Sequence, residues 1–172
     1  MSQLQDASKH NKRSAGFTLV EALVALTLLT VGLIPAFQQA TAAINLSNSI
    51  RNSLIAAHIA QEGIEVVRGM RDANWFNRRP FDDSLTVCAS GCTVQFDSDA
   101  PQPTSFAESP LRLDPLSGLY QYNTGNPTPF SRIVIITQEA PHKLYVVSEV
   151  AWQERSTAKK FSVEYYLFDW MQ

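Results

Sequence analysis

From Phe17 to Phe37 the chain runs 21 residues with one ionisable side chain, Glu21. At ~1.5 Å rise per residue, a helix over this run spans about 30 Å, the thickness of a bilayer's hydrocarbon core. Lys9, Lys12 and Arg13 precede it, against the single acid Asp6 in the first sixteen residues. By the positive-inside tendency they predict a cytoplasmic N-terminus and an exported remainder. A secretory signal is cut after its apolar stretch, beside small residues, whereas here the small residue Gly16 lies before it.

Glu21 demands compensation. A carboxylate in an apolar membrane helix costs roughly 2.5 kcal/mol or more unless neutralised or paired. The run Lys12-Arg13-Ser14-Ala15-Gly16-Phe17-Thr18-Leu19-Val20-Glu21 resembles the type III signal of type IV pilins and type II secretion pseudopilins: a basic leader, a Gly, then Phe-Thr-Leu-hydrophobic-Glu opening an apolar helix. The resemblance implies that residues 1–16 are a leader, that a prepilin peptidase cuts between Gly16 and Phe17, and that the new amino group of Phe17 is methylated. It also implies that Glu21 of one subunit meets the Phe17 ammonium of a neighbour during assembly. Leu-Val-Glu-Ala-Leu-Val-Ala-Leu and Val31-Gly32-Leu33 are similar to the V-type minor pilins and the I-type minor pseudopilins. The implied partners are other pilin or pseudopilin subunits, the peptidase, an inner-membrane assembly platform and membrane lipid. Nucleic acid enters only if the filament takes up DNA. The implied location is a single pass through the inner membrane with the head outside, then a pilus or pseudopilus. An uncleaved single-pass anchor carrying an extracytoplasmic binding module is the alternative, and it gives no reason for Gly16-Phe17 and Glu21 together.

Gly32 and Pro35 interrupt the apolar run. Proline removes a backbone donor, so a helix kink or local unwinding is expected there; filament pilins commonly melt their helix near a proline, and a tolerated kink is the other reading. Beyond Pro35 apolar residues recur at three- and four-residue spacing, which predicts a helix from about Phe17 to about Asp72 that stops before Asn74. Residues 17–37 form the transmembrane or filament-core part and 38–73 an amphipathic continuation. A face of Ile50, Leu54, Ala57 and Ile64 is expected to pack on the head, and Ala40, Ala42 and Ala43 to let neighbouring helices approach. The spacing drifts too far for a strict heptad coiled coil. Glu65 and Arg68 form a solvating pair at three-residue offset.

Residues 74–172 form the head. Its first part reads as loops with a small hairpin, Ser84–Val87 and Thr93–Phe96, its tip closed by a Cys88–Cys92 disulfide, which suits an oxidising compartment. A redox or metal site is the alternative, but the spacing is not Cys-x-x-Cys and no ligand set completes zinc. Asp82, Asp83, Asp97, Asp99 and Asp114 match no defined calcium loop, so solvated turns are expected and no metal or other cofactor. Phe130–Gln138, Lys143–Glu154 and Lys159–Trp170 read as three antiparallel strands, with Val146, Ser148, Val150 and Trp152 on one face of the middle strand. A long helix on such a sheet is an α+β roll, the pilin architecture.

Catalysis finds no support. No Gly-rich phosphate loop or Gly-x-Ser-x-Gly occurs, and His10, His58 and His142 are scattered. Net charge is -2 and no basic cluster suits nucleic acid.

Overall fold

The computed structural model describes residues 16–104 and 110–170. One helix, α1, runs Leu19–Phe76 for 58 residues. Seven strands follow: β1 (Cys92–Thr93), β2 (Gln102–Pro103), β3 (Pro110–Leu113), β4 (Tyr120–Gln121), β5 (Asn126–Ala140), β6 (Lys143–Glu154) and β7 (Thr157–Phe168). The fold is α+β, a long helix and one antiparallel sheet, as expected. The chain divides into two compact units at Leu46/Ser47.

In the first unit the helix has no core of its own. An 18-residue window of α1 has a mean hydropathy of 2.1 and none of it is buried, so water is the wrong solvent for this rod and it anchors in a membrane. Its threonines satisfy themselves: Thr27 donates to the Val24 carbonyl (2.8 Å), Thr30 to Thr27 (2.9 Å) and Thr41 to Phe37 (2.9 Å). Such back-bonding lets a hydroxyl sit in an apolar helix without an orphan donor.

In the second unit, strand β5 is central. It pairs with β6 along one edge and with β1 and β3 along the other. β6 and β7 form a hairpin from Lys143↔Phe168 to Glu154↔Thr157, turned by Arg155 at φ 56. On β6 the face Val146, Ser148, Val150 and Trp152 is buried, as its alternation predicts. The core falls into two clusters. One gathers Ala56, Ile59 and Ala60 of α1 with Leu111, Phe130, Val150 and Trp152. The other sets Ile64, Val67 and Met70 against Val134, Ile136, Leu144 and Val146, with Phe81, Leu85 and the two cysteines closing over it.

Three expectations are corrected. Ile50 and Leu54 do not pack on the sheet and are 52% and 58% exposed. At ~100° per residue they lie roughly a third of a turn or more from the Ala60, Gly63 and Val67 stripe that does. The helix does not stop before Asn74 but runs on to Phe76, because Asn74 is not a terminator here. Its side-chain amide donates to the carbonyls of Phe81 and Asp83, holding the next loop against the last turn. Ser84–Val87 is not a strand; Thr86–Ser90 forms a 3-10 turn, and β1 pairs instead with β2 and β5. Leu85 and Cys88 are both buried, a three-residue spacing that a 3-10 turn aligns and a strand splits between faces.

Candidate functional site: the helix start and the buried polar layer of the head

Gly16, Phe17 and Thr18 precede the first turn of α1. Thr18 is the cap: its hydroxyl accepts from the Glu21 backbone N–H at 3.2 Å, and its carbonyl accepts from Ala22 N–H at 3.1 Å. The spacing Thr-x-x-Glu is that of a capping box, a legible pattern absent from the reading above. It fixes the helix start just beyond Phe17, so the Gly16–Phe17 peptide lies outside the helix and both residues are exposed. Glu21 sits in the first turn, where the positive end of the helix dipole favours a carboxylate. Among the described residues no cation lies within ion-pair distance of it.

Gly32 and Pro35 lie inside α1, which is helical throughout this stretch. Pro35 has no N–H, so the Val31 carbonyl lacks its helical donor. A Cβ on Gly32 would meet nothing within 4 Å. The basic leader residues Lys9, Lys12 and Arg13, and His10, lie outside the described residues.

The head holds a second feature that inspection of the sequence missed. Arg132 of β5 is fully buried. It donates to the Ile59 carbonyl (2.9 Å), to Glu62 Oε1 (3.2 Å) and to the Val94 carbonyl, and its Nε lies 3.4 Å from the Tyr122 hydroxyl. Beside it Gly63 brings the helix close: a Cβ there would lie 2.5 Å from Ser148 Oγ and 3.3 Å from Arg132 Cδ. Gly63, Arg132 and Ser148 thus form a thin polar layer between the two apolar clusters. Arginine in a β-branched strand was the available clue, since its alternation places it with Phe130 and Val134 on the core face.

Cys88 and Cys92 form a disulfide, both buried. The turn closes through Gly91, at φ 113, whose missing side chain leaves room for Ile133. Four of the five aspartates, all but Asp99, have separate partners rather than a shared site. Asp82 accepts from Gln138, Asp83 faces Arg79, and Asp97 accepts from Gln95. Asp114 accepts from the Leu116 N–H and the Ser117 hydroxyl, which hold its carboxyl below the ordinary range. Among the described residues no three potential metal ligands gather. Arg68 meets Glu65 at 2.9 Å, the anticipated surface pair. His58 is exposed, and His142 lies 3.4 Å from Asp169.

Searches against curated proteins and against solved structures return no match. A family model described as "Prokaryotic N-terminal methylation motif" matches residues 11–37. That span holds Lys12 and Arg13, Gly16-Phe17, the Thr18 cap, Glu21 and the apolar run. Over residues 11–37 the chain therefore carries a prepilin-type methylation motif similar to that of type IV pilins and pseudopilins.

Proposed function

We propose that this chain is a minor structural subunit of a type IV pilus or type II secretion pseudopilus, cut between Gly16 and Phe17, methylated at Phe17 and assembled through its helix. The observation that carries this is a capped acid one turn into an apolar rod with no buried residue. A rod of that kind is stable in lipid or against other such rods. Moving it from lipid into a helix bundle changes apolar contacts little, so the charged groups decide where it docks. Cleavage supplies an ammonium at the depth of Glu21. In a water-poor shaft the pair attracts strongly, while either charge alone is heavily penalised. Docking therefore favours the register in which each Glu21 meets a neighbour's Phe17. Gly32 and Pro35 supply a point where the helix bends or unwinds as the subunits pack. The family is structural rather than catalytic, and the head faces outside the membrane. Whether the filament is a pilus or a secretion pseudopilus is a property of the head's partners.

The deciding experiment is intact mass and N-terminal sequencing of the protein extracted from membranes. Loss of residues 1–16 with one added methyl group supports the proposal. A chain keeping its leader is the uncleaved anchored module instead.

A further inference from the structure

The last turns of α1, the loop 79–85 and the loop 98–101 enclose a cleft of about 500 Å³, a size common among small-molecule sites. Gly69, Ala73 and Asn77, at four-residue spacing on one helix face, form its helix wall. The first two are as small as residues come, and a Cβ on Gly69 would meet nothing within 4 Å. Glycine weakens a helix, and among the described residues no neighbour requires it here; its effect is to keep the cleft open. The facing loop is fixed in place. Asn74 donates to the carbonyls of Phe81 and Asp83, and Ser84 next to them adopts φ 63, a left-handed backbone that residues other than glycine adopt at a cost and that recurs at binding sites.

The polar side chains of the lining keep hydrogen-bonding capacity that the fold does not use. Asp99 and the Ser84 hydroxyl line the cleft and make no hydrogen bond among the described residues. The Ser98 hydroxyl accepts from the Gln95 N–H at 3.2 Å, which leaves its own proton uncommitted. Asn77 donates to the Ala73 carbonyl at 2.8 Å, and its side-chain oxygen accepts nothing among the described residues. Arg79 is exposed and reaches Asp83 only at 3.5 Å through Nη1, the outer limit of a hydrogen bond. Met70, Leu85 and Pro101 add apolar surface between these groups.

We propose that this cleft binds a neutral, hydroxyl-rich ligand of the hexose class. Its unused groups are a mixture of donors and acceptors, and a hydroxyl is the ligand group that serves as both. The Asp99 carboxylate can accept from two vicinal hydroxyls at once, a charge-assisted pair. Arg79, Ser84 and Ser98 can donate to sugar oxygens, and the apolar side chains meet the C–H face of the ring. Other classes fit less well. An anion would face Asp83 and Asp99, and a metal ion finds no three gathered ligands among the described residues. An apolar ligand would strand the polar groups without water. A zwitterionic amino acid would engage Arg79 and Asp99 and leave the hydroxyls and Asn77 without partners. The cleft lies wholly in the head, and the inference does not depend on the proposed filament role.

The test is saturation-transfer NMR on the full chain, in a detergent without a sugar head group, with D-glucose, D-galactose and D-mannose titrated separately. Saturable transfer to at least one hexose is expected, undisturbed by glycine or sodium phosphate at equal concentration. Asp99→Asn keeps the shape and one acceptor oxygen, and should weaken that hexose roughly tenfold, as loss of hydrogen bonds to a charged group implies. Gly69→Leu fills the cleft and should abolish saturation, while its thermal midpoint stays at or above the parent's because leucine favours a helix. If that variant melts lower than the parent, Asp99→Asn decides alone. The proposal is overturned if none of the three hexoses saturates, if glycine or phosphate displaces the one that does, or if the deciding variants bind it as the parent does.

Discussion

The Arg132 guanidinium donates to the Ile59 main-chain carbonyl at 2.9 Å, tying the central strand to the helix at a level between the two apolar clusters where polar side chains are buried. Truncation to Ala would orphan the Val94 carbonyl and leave Glu62 beside a void. Breaking a buried pair from one side typically costs 3–5 kcal/mol, and partial exposure of Glu62 lowers that to about 2–4 kcal/mol. Arg132→Ala should shift the denaturant midpoint accordingly, and Arg132→Lys, with three donors and no fork, should recover only part. A midpoint within error of the parent would show that the layer contributes nothing.

Gly63 and Ser148 set the helix-to-sheet distance. Gly63→Ala places a Cβ 2.5 Å from Ser148 Oγ, and overpacking of this sort costs about 1–3 kcal/mol. Ser148 Oγ is buried with no hydrogen-bond partner among the described residues, so Ser148→Ala alone should be neutral or stabilising by up to about 1 kcal/mol. The double variant should be more stable than the sum of the two single changes. A strictly additive double-mutant cycle would refute the contact.

Tyr145 and Glu164 are diagonal neighbours on the outer face of the β6–β7 hairpin. The hydrogen bond to Glu164 pushes the Tyr145 phenol up to about 12 from 10.0, with smaller help from burial. The folded head therefore holds this proton more tightly than the unfolded chain. The pair's contribution to stability is complete below pH 10 and is lost as pH rises towards 12. Tyrosinate absorbance should show one late phenol that disappears in Tyr145→Phe and moves down in Glu164→Gln. An unchanged late transition in Tyr145→Phe would assign it elsewhere.

Reduction of Cys88–Cys92 opens a loop of sequence separation 4. A loop this short yields about 2 kcal/mol of chain-entropy stabilisation. Replacing both cysteines with Ser should lower head stability by at least that amount, since each hydroxyl would then be buried in an apolar cluster, while a Cys88→Ala, Cys92→Ala pair should lose only the cross-link. Thermal melts with and without reductant measure it, and equal melts would remove the disulfide from the list of stabilising features.

Glu21→Ala should leave cleavage and membrane insertion intact while reducing incorporation into filaments by about tenfold or more, since an ammonium in the shaft would lose its partner. The ratio of sheared-filament to membrane protein measures this. Incorporation at the parental ratio would remove Glu21 from the assembly mechanism.

Much of this was legible residue by residue. A 21-residue apolar run, basic residues before it and one acid within it are local facts, so the anchor and the methylation motif could be read directly. The alternation of Val146, Ser148, Val150 and Trp152 identified the buried face of β6, because a strand's period leaves only two faces to choose from. The helix offered a harder choice. Apolar residues lie on more than one side of its head half, and periodicity alone selected Ile50 and Leu54 where the sheet covers Ala56, Ile59, Ala60 and Gly63.

The amino-acid order by itself determined the elements whose causes are short-ranged: the apolar span, the Thr18 cap, the strand pattern and the five-residue cysteine turn. Tertiary structure decided which helix face is covered, that Arg132 spans from sheet to helix, that Gly63 is small because Ser148 is near, and that Trp75 meets Trp170. Those depend on residues from 73 to 95 positions apart, and which distant partners meet is set by the joint packing of the whole head rather than by any local propensity.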